Sequence, residues 1–177
     1  MLRSLLITLS LASALAPGTT LERLPLDEMA RKSTAIVRAT VVGTSGILRG
    51  ADVYTLYQIE IVENWKGAGK PHLEQVAVPG GAAGGLRQMV PGAPSLHLGE
   101  EYVMFLWTSR SGLTQLIGLT QGLFNVQRSG TGDAAAMRAA AAELMLDASG
   151  HAVKDEAVSM KLSDLKARVT RALAGEK

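Results

Sequence analysis

A chain of 177 residues, 47% apolar and 19% charged, is long enough to bury a core of its own and is not composed like a disordered protein. Its 18 basic and 16 acidic residues nearly balance, and no Lys/Arg cluster is interleaved with aromatics, so no nucleic-acid partner is expected. There is no cysteine, which excludes disulfides, thiolate metal sites, cysteine nucleophiles and a lipid-modified N-terminal cysteine.

The N-terminus, MLRSLLITLSLASALAPGTT, has one positive charge at Arg3, an uncharged apolar stretch from Leu5 to Leu11, and the small-residue pattern Ala12-Ser13-Ala14. That is the layout of a secretory signal peptide over residues 1–14, cut after Ala14. A cut after Ala16 would place the rigid ring of Pro17 next to the scissile bond, which fits a peptidase poorly. The apolar run is well short of the ~20 residues that span a bilayer, so no stable membrane span is expected after cleavage. The expected location is secreted or periplasmic.

LPLDEMARKS then predicts a short helix, with Pro25 in its first turn, Asp27 and Glu28 at the positive end of the dipole and Arg31 and Lys32 at the negative end. TAIVRATVVG follows as a strand with Ala35, Val37, Ala39 and Val41 on one face and Ile36, Arg38, Thr40 and Val42 on the other. Gly43 to Gly50 reads as a Gly-Ser turn region. A long strand from Val53 to Asn64 comes next, of a length that suggests a bent strand shared by two halves of a barrel. Leu73 to Val78 is a third strand, and residues 79–99 a long Gly/Pro-rich loop. Tyr102 to Trp107, apolar on both faces, predicts a central strand buried on both sides. LTQLIGL and GLFNVQ are a fifth and a sixth strand, and the series argues for an all-β barrel or sandwich.

Past Ser129 the composition changes. GTGDAAAMRAAAAELMLDASG predicts a helix with Asp133 as N-cap and Gly150 as stop, and LSDLKARVTRALAGEK a second helix with Ser163 as N-cap and Leu165, Val169 and Leu173 on one face. The expected organisation is a signal peptide over 1–14, a β-barrel domain over 15–129 and an Ala-rich helical segment over 130–177.

Little in the sequence carries chemistry. His72, His97 and His151 are dispersed and form no zinc motif. No G-x-S-x-G elbow is present. Glu100 and Glu101 are adjacent on a strand and point to opposite faces, so they cannot work together as acid and base. Gly80, Gly81, Gly84 and Gly85 fail as a phosphate loop, because Leu86-Arg87-Gln88 stand where a Lys and a Ser/Thr are needed, and Pro91 and Pro94 block the following helix. The long loop is therefore better suited to binding, with Leu86, Arg87, Gln88 and Met89 as candidate partner contacts. No catalytic residue, metal or cofactor is expected, and the chain is expected not to be an enzyme.

STAIVRATVVG, YQIEIVENWKG and LHLGEEYVMFL together resemble the N-terminal half of the tissue inhibitors of metalloproteinases and the related netrin-type modules, across roughly residues 28–127. The resemblance, to a cysteine-free bacterial-type variant, implies a mainly β, OB-like barrel of five or six strands with a short N-terminal helix and C-terminal helices. Within it Trp65 would cap the barrel end, and Lys66-Gly67 would turn the chain away. It implies a non-catalytic, proteinase-inhibitor-like module whose partner is another protein, an extracellular metalloprotease being the class in view. The family's zinc-chelating N-terminal cysteine has no counterpart here, so that mechanism does not carry over. The alternative expectation is a cell-envelope structural or adaptor domain docking through its C-terminal helices.

Overall fold

Alternating apolar residues build most of the molecule as sheet. The structure, a computed structural model, describes residues 20–67, 74–128, 130, 132–141 and 143–175, so the signal-peptide expectation over 1–14 lies outside the described residues, as does His72. In chain order the elements are β1 (Thr20–Glu22), α1 (Leu26–Lys32), β2 (Ala35–Arg49), β3 (Asp52–Lys66), β4 (Glu74–Pro79), β5 (Gly81–Ala83), β6 (Leu86–Gln88) and β7 (Glu101–Thr108). They continue with β8 (Thr114–Leu116), a 3-10 turn (Leu119–Gly122), β9 (Leu123–Gln127), β10 (Ala135–Arg138), β11 (Leu144–Leu146), β12 (Ala152–Val153), β13 (Val158–Lys161) and α2 (Leu162–Ala174). The fold is mainly β.

The main sheet runs β13-β10-β9-β7-β2-β3-β4-β8, and β8 returns to pair with β7, so that β7, β2, β3, β4 and β8 close a ring. The central strand β7 shows how the core is divided. Tyr102, Met104 and Leu106 face the inside of the ring with Val37, Val41, Ile59 and Val76. Val103 and Phe105 face the other way, into a second layer with Ile36, Phe124, Met29 of α1 and Leu165 and Val169 of α2. The expectation of a strand buried on both faces therefore holds from Tyr102 to Leu106, whereas Trp107, at 45% exposed, lies beyond the cover of the helices.

The region Gly43–Gly50 is strand and not a turn. β2 continues to Arg49 and pairs with β3 down to Asp52, which leaves only Gly50 and Ala51 to reverse the chain. Register shifts at Ile36/Val37, Arg38/Ala39 and Val41/Gly43 bulge and bend this long pair, as closure of a ring requires. Gly46 is needed for a close approach: a Cβ there would stand 1.9 Å from the Ala82 carbonyl oxygen.

The alanine-rich stretch is not helical. Ala135–Arg138 is β10, inserted between β9 and β13, and Leu144–Leu146 is β11, paired in parallel with β1. Tertiary pairing overrides the high helix propensity of alanine. Residues of this stretch fill an otherwise open edge of β9, and the small side chains of Ala134 and Ala136 pack under Leu162, Leu165 and Ala172 of α2. Asp133 is thus no N-cap of a helix at that place; its carboxylate accepts a hydrogen bond from Ser163 Oγ, in the first turn of α2. Among the described residues, one of the two expected C-terminal helices is present, α2. It packs on the sheet through Leu162, Leu165, Val169 and Ala172, while Leu173 is 36% exposed.

The end of β3 accounts for the Trp-Lys-Gly sequence. Trp65 is half-buried against the helix-side core. Lys66 Nζ donates to the Ala30 and Arg31 carbonyls at 2.8 and 2.7 Å, which fastens β3 to the carboxyl end of α1. Gly67 then turns at φ +90°.

Candidate binding edge

The β2–β3 hairpin carries the small hairpin β5–β6 on its side. Three hydrogen bonds clamp it there. Val53 N–H donates to Gln88 Oε1 at 2.7 Å, Thr55 Oγ1 donates to the Gly80 carbonyl at 2.9 Å, and Gly80 N–H donates to the Val53 carbonyl at 2.8 Å. Gly81, at φ +117°, lets the backbone pass Thr55, since a Cβ would lie 2.2 Å from Thr55 Oγ1. The loop predicted over 79–99 thus contains a hairpin held on a rigid support.

Of the four residues singled out in that loop, Leu86, Arg87 and Met89 are exposed, Leu86 by 54% and Met89 by 88%. Gln88 is half-buried and committed to β3 through its Oε1. Leu48, which falls in the predicted Gly-Ser turn, adds an exposed side chain against Gly84 of the same hairpin. Its strand character was hidden by the neighbouring glycines.

Two clefts meet beside this hairpin. One, near 650 Å³, is lined by Thr55, Tyr57, Arg87, Gln88 and Met89. The other, near 220 Å³, is lined by Leu21 of β1, Gln115, Leu116 and Leu119. Both include Val78, Pro79 and Pro94, so these residues form a shared rim between the N-terminal strand and the hairpin. Leu119 on the second cleft has φ +54°, the sole non-glycine residue with positive φ among those described, and such backbone strain gathers at functional surfaces. The N-terminal strand itself is fixed by Gln121. That buried side chain accepts from Leu24 N–H and donates to the Glu22 carbonyl, both at 2.9 Å.

A separate cleft of about 500 Å³ lies under α1, with Leu24, Leu26, Met29 and Phe124 as apolar walls and Arg138 and Asp155 within. Asp155 binds Arg138 at 2.9 Å and accepts from Ala141 N–H at 2.9 Å, so both of its oxygens hold the fold together. The two residues lie 17 positions apart, within and beyond a stretch that reads as helix in the sequence.

The two adjacent glutamates do point apart. Glu100 accepts from Tyr102 Oη at 2.5 Å and from Asn125 Nδ2 at 3.1 Å. Burial, reinforced by the bond to Glu100, pushes the Tyr102 phenol up to about 12. Glu101 instead binds Arg38, and Arg128 at 2.9 Å. Arg38 also reaches Glu63 at 3.4 Å, and Glu63 is bound by Lys166 of α2. The Lys166 ammonium holds the Glu63 carboxyl below its ordinary value. This chain of charges ties α2 to the strands.

Comparison with protein-family models, characterised proteins and solved structures finds no match. No described helix is long and apolar enough to cross a membrane.

Proposed function

We propose that the chain is a secreted or periplasmic, non-catalytic binding module. Its β5–β6 hairpin and N-terminal edge engage another protein, an extracellular metalloprotease being the partner class that the family resemblance implies. The observation that carries this is the exposure of Leu86, Arg87 and Met89 on a hairpin clamped to β3, sharing one rim with Leu21 of the N-terminal strand. A pre-organised edge with exposed apolar anchors loses little entropy on binding. The ring of five strands flanked by α1 and α2 supports an OB-like fold of the netrin type. Without a cysteine, the hairpin side chains and the backbone of the N-terminal edge would do the contacting.

The adaptor alternative has less support, because Leu165 and Val169 of α2 are already covered by the protein's own sheet. The test is titration of the chain from Leu15 onward against a panel of zinc metalloproteases. Stoichiometric loss of protease activity is the expected result. Full activity at micromolar protein would reject the inhibitor reading for those enzymes.

A further inference from the structure

Four buried side-chain polar atoms among the described residues have no hydrogen-bond partner: Trp65 Nε1, Thr120 Oγ1, Arg138 Nε and Glu143 Oε2. Three of these residues, Thr120, Arg138 and Glu143, line one cleft of about 370 Å³ between the Gly92–Ser95 segment and residues 137–141. Buried polar atoms are nearly always paired in folded proteins, so three orphans at one cleft point to a ligand or to bound water. The volume is within the range of small-molecule sites.

The charges decide what kind of ligand. Arg138 and Glu143 are the charged residues of the lining. Arg138 is neutralised by Asp155 at 2.9 Å and also donates to the Gln121 and Glu156 carbonyls. Glu143 has neither an ion-pair partner nor a hydrogen bond among the described residues. A partly buried carboxylate without a counter-charge is costly, and a cation relieves that cost. Gly92 lets this carboxylate pack against the backbone, since a Cβ there would stand 2.3 Å from Glu143 Oε1. Of the remaining walls, Ala93, Pro94, Leu123, Met137 and Ala139 to Ala141 are apolar, and Ser95, Tyr102 and Asn125 are polar.

We infer that this cleft binds a primary ammonium group on a short aliphatic stem, with Glu143 as counter-ion, Thr120 Oγ1 as a second acceptor and the alanine and proline walls around the stem. A free alkylamine and a lysine side chain share this chemistry. The cleft adjoins the hairpin cleft through Ala93, Pro94 and Ser95 but contains none of Leu86, Arg87 and Met89.

Calorimetric titrations with n-butylamine and with a doubly capped lysine, each at millimolar ligand, test the inference, with n-butanol as the uncharged isostere. Binding of n-butylamine alone identifies a free amine, and binding of the capped lysine identifies a lysine side chain; either supports the site. Glu143→Gln should weaken the interaction at least about tenfold, the loss expected for a charge-assisted hydrogen bond. Amide shifts of the unaltered protein should be confined to Gly92–Ser95 and Ala139–Ala141, a readout that stands if the variant fails to fold. Binding of neither amine, equal binding of n-butanol, shifts elsewhere, or undiminished binding by folded Glu143→Gln would overturn it. The first of those outcomes would mean that the cleft holds water only, and the second that it takes the aliphatic stem without reading the charge.

Discussion

Arg138 and Asp155 form an ion pair at 2.9 Å in which the side chains are only 10% and 2% exposed. The pair joins β10 to the chain entering β13, and Arg138 also lies over the Phe124 ring at 5.9 Å. Burying two charges is expensive, and removing one partner leaves the other uncompensated. Asp155→Ala should therefore cost about 3–5 kcal/mol, measured as a lower urea midpoint. Asp155→Asn, which can still accept from Ala141 N–H, should cost less.

Lys66 predicts a smaller effect of another kind. Its ammonium donates to two carbonyls at the end of α1, where the helix has no internal donors left. Lys66→Met keeps the aliphatic stem and removes the donors, and should cost about 1–2 kcal/mol by denaturant unfolding. Amide exchange should rise first in α1.

The acid limb of stability follows from Glu63. Its carboxyl is depressed below 4.5, chiefly by Lys166, so its contribution is present above the unfolded value and is lost as pH falls through the lower folded value. Glu63→Gln should flatten the stability profile below about pH 4.5 and leave it unchanged in shape at neutral pH. A slope identical to that of the parent protein would contradict the assignment.

Tyr102 acts at the opposite end of the scale. With the phenol raised to about 12, its contribution is complete below the ordinary value of 10.0 and is lost as pH rises through the folded value. Phenolate absorbance should show a step near pH 12 that Tyr102→Phe removes.

How much of this was legible in the sequence depended on whether a pattern was local. The alternation in β2 and β3 and the two-faced apolar run of β7 revealed those strands, and Pro25, Asp27 and Lys32 marked α1. Residues 134–142 misled because alanine favours a helix in isolation, whereas the deciding term is pairing of β10 with β9 and β13, which no local window contains. Arg138 and Asp155, 17 positions apart, were invisible for the same reason. At the binding edge, exposure of Leu86, Arg87 and Met89 followed from a polar, Gly-rich setting. The commitment of Gln88 to Val53, 35 positions away, did not.

The clamped hairpin is proposed as the binding edge. Its most direct test is residual activity of a zinc metalloprotease that the chain inhibits, titrated with the parent protein, with Leu86→Ser/Met89→Ser, and with Leu173→Ser as a surface control remote in sequence. The double variant should lose inhibition at least about tenfold, as removal of interface anchors does, while Leu173→Ser matches the parent. Equal inhibition by all three proteins, or the larger loss from Leu173→Ser, would contradict it.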